Sequence, residues 1–194
     1  MSTISDVFKS YDVITPNIAK ENGISKFKFY KYLSDNNYKK VAHGIYVKED
    51  EWVDELAIIY KRCPKALFSH DEALYYHNLV DRPPIKHTLT IYSGYNARRI
   101  MKDFDCKVYS VKKELLDVGR MMVIDGDGNE VPMYNLERTI CDMIRNRSTI
   151  EIQDFNQALK TYAKRPDKDL NRLMEYAKLF RLQNVIKRYL EVLL

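Results

Sequence analysis

The sequence predicts an α+β protein: an N-terminal winged helix-turn-helix followed by an α+β domain that ends in a helical tail. Three observations lead there. Residues 15–48 read as a short helix, a tight turn, a lysine-rich helix and a β-hairpin. Residues 66–134 mix short apolar strand signals with short helices. From Asn135 onward the apolar spacing is helical to the end of the chain. The expected division is 1–48 and 49–194, meeting at the charged hinge Lys48-Glu49-Asp50-Glu51.

In the N-terminal part, Ile4 to Ser10 reads as a first helix, with Val7, Phe8 and Tyr11 as core candidates. Thr15 is a good N-cap, and Pro16 suits the first helical position, where its missing N–H removes nothing. Gly23 ends that helix, Ile24 points inward and Ser25 caps the next. On the second helix, at 100° per residue, Tyr32 and Leu33 fall within about 60° of Phe29 and define a core stripe. Phe27, Tyr30, Lys31 and Ser34 fall on the far side, with Lys28 on a flank and Lys26 in the first turn. A solvated face usually mixes acids among its lysines, and this one has none before Asp35. A basic face carrying aromatics suits a DNA major groove, where lysine meets phosphates or guanine edges and an apolar side chain meets a thymine methyl. The bland alternative packs Phe27 on the second domain and leaves the lysines as solubilising charge.

Tyr38–Ala42 and Ile45–Val47 are β-prone runs around His43-Gly44, a two-residue turn. Lys39, Lys40 and His43 sit on its first strand and tip, placed for phosphates or a neighbouring groove. The candidate DNA-binding set is therefore Ser25, Lys26, Phe27, Lys28, Tyr30, Lys31, Ser34, Lys39, Lys40 and His43.

Further along, Asp50 to Arg62 reads as an amphipathic helix with Trp52, Leu56, Ile59 and Tyr60 on one face, stopped by Cys63-Pro64. Ala66–Phe68 is a short strand, and Ser69 a cap for a helix over about His70 to Leu79. Strands are expected over Lys86–Tyr92, Cys106–Val111, Arg120–Ile124 and Glu130–Tyr134, with a short basic helix over Asn96–Lys102. The run Asp125–Glu130 lacks the acid spacing of a calcium loop and reads as a hairpin turn. Asn135 caps a helix with Leu136, Ile140, Met143 and Ile144 inward; others follow over Thr149–Ala163, from Pro166, and from Leu182.

Composition bounds the function. At 194 residues and 45% apolar content the chain fits one large or two modest domains. The polar N-terminus is no signal peptide, and no apolar run spans a membrane. Cys63, Cys106 and Cys141 are odd in number and far apart, which argues for reduced thiols in a cytoplasmic protein without a zinc site. The net +5 divides unevenly: residues 1–48 hold eight Lys/Arg against four Asp/Glu, and residues 160–194 nine against four, around an acidic middle. Two positive surfaces are expected. For catalysis the candidates are His70 with Asp71, His77, and Glu137-Arg138-Thr139 with Asp142. No Gly-rich phosphate loop, HExxH or GxSxG accompanies them, and Arg138 and Asp142 stand at i, i+4 where they can simply pair. No catalytic residue, metal or cofactor is assigned.

Several stretches together resemble the AbiEi family, the antitoxins of AbiE-type (type IV) toxin–antitoxin and phage abortive-infection systems. They are Gly23-Ile24-Ser25 with its basic helix, Val41-Ala42-His43-Gly44-Ile45-Tyr46, Phe68-Ser69-His70-Asp71-Glu72-Ala73-Leu74, Thr88–Ile91 and Glu137–Asp142, spread over nearly the whole length. The resemblance implies an antitoxin that also represses its own operon, its winged domain binding inverted repeats in promoter double-stranded DNA. It implies that the second domain neutralises a nucleotidyltransferase-like toxin without a stable complex, and that family members bind DNA cooperatively. Two other readings stay open: a stand-alone regulator whose second domain dimerises or senses a ligand, and a DNA-targeted nuclease or nucleotidyltransferase. Acids converging around Glu137 and Asp142 would favour the last.

Overall fold

The computed structural model describes residues 4–51 and 53–193. It is α+β and divides into two compact units. One takes the N-terminal residues through Pro64 together with Ile124–Glu130; the other takes Lys65–Val123 and Val131–Leu194. Among the described residues no helix is long and apolar enough to cross a membrane.

The first unit holds α1 (Ile4–Phe8), α2 (Pro16–Glu21), α3 (Lys26–Asp35), β1 (Tyr38–Ala42), β2 (Ile45–Lys48) and α4 (Glu55–Arg62). Its core gathers Phe8, Ile14, Ala19, Phe29 and Leu33, with Ile24, Tyr32, Tyr38 and Tyr46 half-buried around them. The caps read from sequence form: Thr15 accepts from the Ile18 N–H and Ser25 from the Lys28 N–H. Gly23 sits at φ +68, the backbone that ends α2. β1 and β2 pair antiparallel around the His43-Gly44 turn, with an irregularity between Lys40 and Ala42. A feature with no local sequence signal completes this side: Ile14 exchanges both backbone hydrogen bonds with Tyr46 and adds a one-residue bridge to the hairpin.

Three local expectations change. The first helix stops at Phe8, and Tyr11 lies 38% exposed, outside the core. α4 starts at Glu55, not Asp50, because Asp54 caps it by accepting from the Leu56 N–H. The Asp54 carboxylate also accepts from the Gly126 N–H, and the Asp54 N–H donates to Asp127. These bonds explain why the unit runs beyond Lys48 and includes a loop some 70 residues away. Trp52, expected on this helix, lies outside the described residues.

The second unit is built on a five-stranded mixed sheet from β3 (Leu67–Phe68), β4 (Thr88–Tyr92), β5 (Lys107–Val111), β6 (Arg120–Ile124) and β7 (Glu130–Tyr134), ordered β5-β4-β3-β7-β6. β3 runs antiparallel to β4 and parallel to β7, and β4 runs parallel to β5. Helices α5 (His70–Tyr76), α6 (Arg98–Phe104), α7 (Leu136–Arg145), α8 (Ile152–Lys164), α9 (Leu170–Leu179) and α10 (Gln183–Leu193) complete it. The main core joins α5, α7, α8, α9 and α10 through residues such as Leu74, Ile140, Phe155, Tyr162 and Leu173. α7 is its centre: Leu136 through Ile144 are all buried, on every side of the helix.

Here too the structure departs from local signals. Ser69 does not cap α5; its hydroxyl accepts from Thr90 and meets His70 Nδ1, while Thr88 of β4 accepts the Glu72 N–H. α5 ends at Tyr76 rather than Leu79, which instead tucks fully into the core. Pro166 opens no helix, since α9 begins at Leu170 under the Asp169 side chain, which accepts from the Arg172 N–H.

Candidate nucleic-acid interface

All ten residues singled out from sequence are exposed. α3 positions six of them. Its inner edge is fixed by Phe29 and Leu33, the former meeting Phe8 and Tyr46 edge-on at 5.8 and 5.7 Å between ring centroids. With those two inward, Lys26, Phe27, Tyr30, Lys31 and Ser34 border a shallow depression on the outer face, closed at its end by Asp35. Phe27 is 78% exposed. Lys26, Lys28 and Lys31 make no ion pair among the described residues. From Lys26 to Ser34 the face runs eight residues, about 12 Å at 1.5 Å per residue, comparable to the width of a B-DNA major groove.

Tyr30 has a second duty. It is 42% exposed, and its ring also rests edge-on against Phe29 at 5.3 Å and Tyr46 at 6.2 Å. Burial first, and the neighbouring Tyr30 hydroxyl second, push the Tyr46 phenol above its ordinary pKa. Tyr30 thus couples the outer face of α3 to β2.

On the hairpin, Lys39 and Lys40 are adjacent in β1 and project to opposite faces, so they cannot meet one surface together. The Lys39 ammonium donates to the Glu49 carbonyl at 3.4 Å, back toward its own backbone. His43 stands exposed at the tip beside Gly44, whose φ is +74.

The catalytic candidates of the second unit do not gather at one site: Arg138 and Asp142 pair with each other, His70, His77 and Glu137 each have other partners, and Asp71 borders a separate cavity with Arg82, Lys86 and Lys107. Arg138 is fully buried, its Nε donating to Asp142 at 2.9 Å and its Nη1 to the carbonyls of Leu115 and Val118. The guanidinium lies between the rings of Tyr134 and Phe180, at 4.0 and 4.2 Å. Burial raises the Asp142 carboxyl and the Arg138 charge opposes that rise. Glu137 turns elsewhere, accepting from the Asp169 N–H and facing Arg172 at 3.8 Å. Glu137 and Asp142 therefore do not converge.

His70 stacks on Tyr109 at 3.5 Å, with Nδ1 on Ser69 and Nε2 accepting from the Asn146 amide. Burial, and then the Lys107 charge, hold this imidazole down at about 3, so it is neutral. His77 donates from Nε2 to the Tyr134 carbonyl at 2.8 Å. Among the described residues no group of three or more His, Cys, Asp or Glu is placed to hold a metal ion. Cys63, Cys106 and Cys141 are all buried.

Part of the basic charge of residues 160–194 is neutralised internally. Arg165 pairs with Asp167 at 2.7 Å, and Arg172 faces Glu137 and Asp169. Sequence reading missed a different basic group, Lys112, Arg145 and Arg181, which share a cavity of the second unit. They come from three distant segments, so no local pattern marks them.

No protein-family model matches the chain, and no curated relative matches it. Among solved structures, the RV2827C protein from Mycobacterium tuberculosis resembles it with a TM-score of 0.61. That likeness covers 87% of this chain and 67% of the other at 12% identity. At that identity it is a likeness of fold.

Proposed function

We propose that the first unit is a winged helix-turn-helix that binds double-stranded DNA, with α3 as its recognition helix and the β1–β2 hairpin as its wing. The observation that carries this is the outer face of α3: a 78% exposed phenylalanine among unpaired lysines. An aromatic ring left in water is unfavourable unless a partner covers it, and the cations around it select a polyanion. Phe27 would meet thymine methyls while Lys26, Lys28 and Lys31 meet phosphates or guanine edges. The chain would then act as a repressor on inverted repeats in its own promoter. Footprinting of the chain's own upstream region tests this: the full chain should protect a repeated site, and the K26A/K28A/K31A variant should not.

The antitoxin role is part of the same proposal and rests on the resemblance to the AbiEi family. In it the second unit neutralises a nucleotidyltransferase-like toxin without catalysis of its own, a reading supported by the Arg138–Asp142 ion pair and by a neutral His70 held between Ser69 and Asn146. The reading requires a nucleotidyltransferase-like gene beside this one; co-expression with its product should restore growth, and the K26A/K28A/K31A variant should restore it equally.

A further inference from the structure

We infer that the second unit carries a binding site for a phosphate monoester, in a cavity of about 410 Å³ at the junction of α7, α9 and the segment after β5. Its lining brings Lys112, Arg145 and Arg181 together, and Glu114 is the acid among them. None of the three cations makes an ion pair among the described residues. Three cations against one carboxylate leave two positive charges in one concavity. A phosphate monoester brings a matching charge of about −1.5 to −2 near neutral pH. The volume lies within the range of small-ligand sites, roughly 300–1,000 Å³.

The rest of the wall suits the body of such a molecule. Leu115, Leu179 and Phe180 supply apolar surface, with Leu179 51% exposed. Behind Phe180, at 4.2 Å, lies the Arg138 guanidinium, and Leu115 holds its Nη1. The third nitrogen of that group, Nη2, is buried and without a hydrogen-bond partner. A buried donor left unmatched beside a cationic cavity adds to the field an anion would meet.

Arg181 gives the sharpest handle. It follows α9 in a left-handed conformation at φ +58, with the Arg181 N–H on the Lys178 carbonyl and the Leu182 N–H on the Ala177 carbonyl. This is the helix-ending turn in which glycine is the favoured residue. An arginine there runs against local backbone preference, and its side chain lines the cavity. Replacing it by glycine removes the cation while relaxing the turn.

The test is calorimetric titration of the full chain with AMP, with inorganic phosphate and with duplex DNA. AMP should bind at one site, phosphate more weakly at the same site, and added salt should weaken both. Arg181→Gly should lower AMP affinity by at least about tenfold with an unchanged or higher melting temperature. Glu114→Gln should tighten binding of both anions. Failure of AMP and phosphate to bind at millimolar concentration would overturn the assignment. So would an Arg181→Gly variant that binds AMP normally, or one that loses affinity for duplex DNA alone.

Discussion

α3 and α7 are both ten-residue helices carrying charge, and they handle it in opposite ways. α3 buries two residues and leaves three lysines and a phenylalanine in water without partners. α7 buries nine and matches its arginine to an aspartate, two carbonyls and two aromatic faces. A buried charge must be satisfied from within the fold, so its partners are scaffold. An exposed unpaired cation costs the fold nothing and remains available to a partner. Charge by itself marks neither role; the presence or absence of internal partners does.

The largest expected effect lies in α7. Asp142→Ala strands the Arg138 charge in the interior and should cost about 3–5 kcal/mol, read by denaturant unfolding. A loss under about 1 kcal/mol would show that the pair does not support the interior. Next comes Gly119→Ala. The added Cβ would sit 2.5 Å from Arg138 Cβ on a backbone at φ +78, and a loss of about 1–3 kcal/mol is expected in the same assay.

The buried imidazole predicts a pH dependence. His70 titrates at about 3 when folded, against about 6.5 when unfolded, so the unfolded chain binds the extra proton between those values. His70 therefore contributes stability above pH 6.5 that falls as pH drops toward 3, by up to about 1.4 kcal/mol per unit. His70→Asn keeps a residue that tolerates the left-handed backbone at φ +49 and should flatten this slope between pH 6 and 4. An unchanged slope would place the acid sensitivity elsewhere.

The smallest effect on stability belongs to α3. Phe27→Ala should shift unfolding by no more than about 0.5 kcal/mol, as befits a side chain without a packing partner. It should still weaken binding to the upstream DNA by about 1 kcal/mol or more, measured by titration. A large stability loss with unchanged DNA binding would reverse the comparison and make Phe27 a packing residue.

Much of the first unit was legible because its signals are local. Thr15, Ser25 and Gly23 cap within their own turns, and the His43-Gly44 hairpin closes over two residues. The errors occurred where a distant residue decides. Asp54 starts α4 while held by the loop at Gly126, and Ser69 is taken from its capping role by Thr90 and His70. The sequence of α7 marks Leu136, Ile140, Met143 and Ile144 as inward, and nothing local says that every residue from Leu136 through Ile144 is covered. The exposed face of α3 was readable from periodicity and the hairpin residues from the turn signal, apart from Tyr30's attachment to Tyr46 and the opposed directions of Lys39 and Lys40. The cationic cavity was not readable, because its three charges come from segments that only the fold unites.

The central claim is that the unpaired lysines of α3 meet DNA phosphates. The most direct measurement is binding of the chain's own upstream DNA across a salt series, for the parent and the K26A/K28A/K31A variant. Each phosphate contact removed should lower the log–log salt slope by about 0.9, so the triple variant should lose about 2.7 while unfolding as the parent does. Equal affinity and equal slope in the two proteins would contradict the account and return α3 to being a solvated surface helix.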